Sequence, residues 1–208
     1  MSVKSVAVLV SGSGTNLQTL IDNIHGIYGR IIAVISDAPD VYALDRAEKA
    51  NIPTETVNYA AYGDKSLFYE ELLNILRQKE PDLIVLAGFM KILPGEFYER
   101  FPNKIINIHP ALIPAFCGKG YYGIKVHEAV LRYGAKVTGV TVHFADDKAD
   151  HGPIILQKCV PVLEGDTPEI LQQRVLLTEH ELLPYAVQLF LQDRLEVDGR
   201  TVRILDEK

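Results

Sequence analysis

The chain has no tryptophan, two methionines and only two cysteines in 208 residues. With Cys117 and Cys159 as its sole thiols there is no disulfide framework, and the expected compartment is a reducing cytoplasm. Neither Cys-x-x-Cys nor His-Glu-x-x-His occurs, and His25, His151 and His180 have no metal-ligand spacing, so no metal is expected. Long apolar runs are also missing. The longest are strand-sized, well short of the roughly 20 residues that cross a bilayer, so no membrane partner is expected. Lysine and arginine form no cluster and the net charge is −6, which argues against a nucleic-acid groove. Met1-Ser2-Val3-Lys4-Ser5 leads straight into a strand pattern without a signal-peptide cleavage region. What is abundant is apolar content, 48% of residues, enough for a substantial core without metal or cross-links.

Hydrophobic periodicity orders the chain. Residues 3–10 form a continuous Val-rich run of the kind that becomes a buried parallel strand. In 16–24, Leu17, Leu20, Ile21 and Ile24 recur at helical spacing. A strand over 31–35, a helix over 43–50 and an extended segment from Ile52-Pro53 follow. The spacing predicts a helix over 65–78 with Leu67, Leu72, Ile75 and Leu76 on its buried face, then a strand over 83–87, a short helix over 94–100 and a strand over 105–108. This alternation predicts an α/β fold with a Rossmann-like open, mostly parallel sheet flanked by helices. The later pattern predicts an antiparallel extension in the C-terminal half. Strands over 136–145 and 154–162 are joined by a short polar loop, and Asp198-Gly199 marks a terminal hairpin. Between them lies a long helix over 168–192, with a kink expected at Pro184. The length suits one domain, 1–208, with a phosphate-binding half over 1–103 and a catalytic half over 104–208.

Two constellations carry chemistry. The first is the turn Ser11-Gly12-Ser13-Gly14-Thr15-Asn16, between a strand and a helix. Backbone N–H groups and a helix N-terminus converge there, and such a point attracts phosphate. Leu17 stands where a dinucleotide fingerprint needs its third glycine, yet Asp37 at the end of the second strand keeps a nicotinamide-linked oxidoreductase open; a plain tight turn is the bland alternative. The second is Asn107-Ile108-His109-Pro110 with Asp150 downstream. Residues two apart on a strand face the same side, so an amide and an imidazole can share one cleft. Together with an acid they can stabilise an oxyanion and move a proton, Asp150 favouring the charged imidazole. The plainer alternatives are a structural histidine and a turn-forming asparagine. Asp146 and Asp147 read as a solvated acidic loop, His127 as a surface residue beside Glu128, and His143 as a core residue or a support of the site.

The ordered segments 12–17, 86–93, 106–114, 139–144 and 150–155 resemble the folate-dependent phosphoribosylglycinamide formyltransferases over essentially the whole chain. The resemblance implies formyl transfer from 10-formyltetrahydrofolate, as co-substrate, to the amine of glycinamide ribonucleotide in purine synthesis. It implies Asn107, His109 and Asp150 as catalytic residues, Gly14, Thr15 and Asn16 on the phosphate, and Glu179 on the ribose. Lys65, Met90, Lys91, Ile92, Leu93 and again Asn107 would meet the folate, and Thr141 would support the catalytic network. Small molecules are then the only expected partners, bound by a monomer or a homodimer. The chain departs from the family pattern at Lys91, Ala111 and Cys117, none of them a catalytic group. A formyltetrahydrofolate hydrolase would use the same three residues with water, and usually carries an additional N-terminal domain. A methionyl-tRNA formyltransferase would need an RNA-binding domain and a basic surface.

Overall fold

In the computed structural model, which describes residues 3–206, the chain forms two compact units, Met1–Ile106 and Asn107–Lys208. Met1 and Ser2, which open the N-terminal reading, lie outside the described residues.

The first unit is a parallel sheet. Strand β1 (Ser5–Val10) is buried from Val6 onward, as a strand covered on both faces must be. It pairs in parallel with β2 (Arg30–Ser36) on one side and β4 (Leu83–Leu86) on the other, and β2 carries β3 (Thr54–Thr56) at the edge. The crossovers are α1 (Thr15–Asn23), α2 (Tyr42–Lys49) and α3 (Lys65–Lys79), followed after β4 by the short α4 (Gly95–Arg100). α3 starts where the Asp64 carboxylate accepts from the Ser66 amide at 2.9 Å, a side-chain cap of a free helix end. Its buried face is Phe68, Leu72, Leu73 and Leu76. Leu67, expected inside, is instead 52% exposed, because the aromatic ring one position later takes the inward direction and stacks edge-on with Tyr59 and Tyr69.

β5 (Ile105–His109) begins in the first unit and ends in the second. In the second unit α5 (Ile124–Tyr133) precedes the antiparallel pair β6 (Val137–Phe144) and β7 (Ile154–Pro161). Their register jumps between Val142 and His143, so that β7 carries one extra residue opposite the position where His143 must be aimed. α6 (Pro168–Leu191) packs on both strands and on α5. It starts with Thr167 as its cap and Pro168 at its first turn, and continues as one helix through Pro184. The hairpin β8 (Leu195–Asp198) and β9 (Thr201–Ile204) joins β7 through Thr201 opposite Ile154. The fold is therefore α/β, parallel in the first unit and largely antiparallel in the second, as the periodicity predicts. No helix among the described residues is long and apolar enough to cross a membrane.

Candidate active site

In the first unit, the turn between β1 and α1 lines an open cavity of about 160 Å³ together with Ala87, Gly88 and Met90. Gly14 caps α1 at φ 73°, where no side chain satisfies the helix's first N–H groups. A Cβ at this position would stand 2.7 Å from the Ala43 Cβ, so glycine is required both by the backbone and by the approach of α2. The Ser11 hydroxyl accepts from the Met90 amide at 2.9 Å and holds the far wall. Arg46, invisible to motif reading, donates to the Ser13 carbonyl at 2.8 Å and brings a cation to the turn. Backbone amides at a helix N-terminus and a guanidinium are what a phosphate needs.

Also in this unit, Met90 and Ile92 are exposed and Leu93 is buried. Lys91 turns inward to Asp37, 2.9 Å from its carboxylate. The Lys65 ammonium donates to the carbonyls of Tyr59 and Tyr62. Both ammonium groups also lie over the Tyr59 ring. The two lysine charges expected to face a ligand are thus engaged within the unit.

In the second unit, Asn107, His109 and Asp150 come together. Asp150 Oδ2 accepts from the Gly118 amide at 2.8 Å and lies 3.5 Å from His109 Nδ1, and Oδ1 lies 3.4 Å from the Asn107 amide nitrogen. His109 is almost wholly buried, and its Nε2 donates to the Phe116 carbonyl at 2.9 Å. His143, aimed by the irregular register of β6 and β7, donates from Nδ1 to its neighbour's carbonyl, and its Nε2 accepts from Asn107 at 3.2 Å. That pins the amide orientation. Thr141, expected to support this network, works one step away: it donates to the Ala111 carbonyl and accepts from the Ile113 amide, shaping the segment after His109. Glu179 lies half-buried on α6.

Asp150 has φ 54°, a left-handed backbone uncommon for a side-chain-bearing residue. Two residues on, a Cβ at Gly152 would meet the Phe144 carbonyl at 1.9 Å, so the loop closes against β6 only because that position has no side chain. The electrostatics correct one expectation. Burial lowers the His109 pKa; Asp150 and the Phe116 carbonyl raise it, and the nearby His143 lowers it again, leaving it below the ordinary 6.5. Asp150 does favour the charged ring, but desolvation wins. For Asp150 burial acts upward, yet the neighbouring His143 and His109 rings and the Gly118 amide outweigh it, so the carboxyl sits below its ordinary value. His127, expected on the surface, is buried at 1% exposure on α5 with its Nδ1 unpartnered, and burial, with His109 nearby, drives its pKa down to about 4. Cys117 and Cys159 are both free, and burial raises the Cys117 thiol.

A sequence profile of formyl transferases matches residues 4–187, nearly the entire chain. The chain belongs to the formyl transferase family. Among formyl transferase relatives, it is 37% identical to the phosphoribosylglycinamide formyltransferase of Escherichia coli K12 over 93% of this chain and 90% of that protein. It is 43% identical to the trifunctional purine biosynthetic protein adenosine-3 of Bos taurus over 97% of this chain, but spans only 20% of that longer protein. The solved glycinamide ribonucleotide transformylase 1 of Symbiobacterium toebii is 45% identical and superposes with a TM-score of 0.91, covering 98% of this chain and 95% of that one. Within this formyl transferase, motif reading located Asn107, His109 and Asp150 but missed their supports Phe116 and Gly118, and it missed Arg46 at the glycine turn. The first two act through backbone groups, and Arg46 acts across the fold from α2, so neither kind leaves a local signature.

Proposed function

We propose that this formyl transferase moves the formyl group of 10-formyltetrahydrofolate to the amine of glycinamide ribonucleotide, giving formylglycinamide ribonucleotide and tetrahydrofolate in de novo purine synthesis. The observation that carries the reading is the meeting of Asn107, His109 and Asp150 with a second histidine behind them. The cavity lined by Gly14, Thr15 and Asn16 at the start of α1 supports its use for the nucleotide's phosphate. We assign the ribose to Glu179. The folate is assigned to Met90, Lys91, Ile92 and Leu93, chiefly through their backbone, with Lys65 and Asn107. Small molecules are its partners.

The chemistry follows from the residue states. The amine attacks the formyl carbon, a new C–N bond forms, and the carbonyl oxygen becomes an oxyanion. Asn107 donates to it by exchanging its long 3.4 Å contact with Asp150 for the new oxyanion. Burial keeps His109 neutral near pH 7, so it starts as a proton acceptor rather than as the pre-charged donor that sequence reasoning predicts. It takes the proton lost by the attacking amine at Nδ1, where the Asp150 carboxylate balances the charge. The bond to the folate nitrogen then breaks, and the imidazolium returns the proton to that leaving nitrogen.

The test is an assay of tetrahydrofolate release by the purified protein. Release is expected only when glycinamide ribonucleotide is present. Equal release with water alone makes the protein a hydrolase, and folate-independent reduction of a nicotinamide cofactor would favour an oxidoreductase.

A further inference from the structure

The Asp146–Gly152 loop, which carries Asp150, is gripped from outside by the terminal hairpin. Gly199 and Arg200 form the two-residue turn between β8 and β9, and Gly199 has φ 58°, which suits the tight II′ form. Because Thr201 pairs with Ile154, this turn stands beside the end of the loop. Arg200 Nη2 donates to the His151 carbonyl at 2.7 Å. Its Nη1 lies 3.3 and 3.1 Å from Nδ1 and Nε2 of His151, the nearer nitrogen being the one that can accept. Nδ1 of the ring donates to the Asp146 carboxylate at 2.8 Å, and Asp146 also accepts from the Lys148 amide. Asp146, read from sequence as solvated, is thus one end of a relay. All these contacts converge on the residue next to Asp150, whose left-handed backbone needs outside support.

We propose that Arg200 is a positioning residue: through His151 and Asp146 it holds the loop so that the Asp150 carboxylate stays on the Gly118 amide and beside His109. This rests on the reading of Asp150 as the acid of the reaction. Exposed charge contacts add little to global stability, so thermal stability is not where the effect will be seen. The effect lies in the geometry of one carboxylate, where a small displacement costs rate.

The experiment follows the Gly118 amide resonance by NMR alongside steady-state kinetics. The downfield shift of that amide reports its bond to Asp150 without any reference to activity. Arg200→Ala is expected to move it upfield and to lower kcat about tenfold, the scale of one hydrogen bond to a charged group, with KM for the ribonucleotide within about twofold. Arg200→Lys keeps a donor to the carbonyl and is expected to restore part of both. An unmoved Gly118 resonance in a folded Arg200→Ala protein overturns the proposal. If that variant does not fold, His151→Phe serves instead: a partial upfield movement supports the relay and none overturns it. Should the wild type show no formyl transfer, the reaction assignment fails while the Gly118 measurement still decides the grip.

Discussion

His109 is held between two acceptors, the Phe116 carbonyl at Nε2 and the Asp150 carboxylate at Nδ1, in a site dry enough to keep the ring neutral. Each contact invites a proton and burial refuses it. The imidazole is therefore expected to titrate below its ordinary 6.5. Asp150→Asn removes the main influence that raises it, so the His109 pKa should fall further, together with turnover. A histidine NMR titration of both proteins decides this, and a rise in the variant would contradict the account.

Asn107 is the residue expected to meet the oxyanion. Asn107→Ala should reduce kcat by on the order of 10²–10³, the usual cost of one such donor, with a much smaller change in KM. Single-turnover formyl transfer measures it. A loss confined to KM would mean that Asn107 binds the ground state only.

The turn at Gly14 makes a separate prediction. A valine there meets Ala43 and a backbone angle that suits glycine, so a stability loss on the order of 1–3 kcal/mol is expected. Affinity for the ribonucleotide should drop by about tenfold or more, since each tenfold is only about 1.4 kcal/mol, while folate affinity changes little. Calorimetric titration with each ligand separates the two. Equal losses would remove the phosphate from this turn.

His127 gives the fold a sensitivity to acid. Its value in the unfolded chain is near 6.5 and in the folded chain about 4. Between those values the unfolded chain binds a proton that the folded one does not, so stability falls as pH drops through this window. The contribution is up to about 3 kcal/mol. His127→Leu should therefore be less acid-sensitive, seen as a smaller difference between urea midpoints at pH 7 and pH 4.5. An unchanged difference would place the sensitivity elsewhere.

Much of this was legible in the sequence because it is periodic or local. The Val-rich run of β1, the glycine turn and the i, i+2 placement of Asn107 and His109 each follow from neighbouring residues. What escaped depends on partners far along the chain. His127 lies on the buried face of α5 with Val126 and Val130, and one helix cannot say which of its faces the fold will cover. His143 reaches Asn107 through a register jump supplied by the opposite strand. The neutral state of His109 is a matter of desolvation, which no spacing encodes.

The left-handed backbone at Asp150 also dictates how position 150 can be probed. Asparagine shares aspartate's tolerance of that conformation, so Asp150→Asn isolates the charge. Alanine or glutamate would twist the main chain while removing or moving the carboxylate, and a loss of rate would then have two causes that no assay could separate.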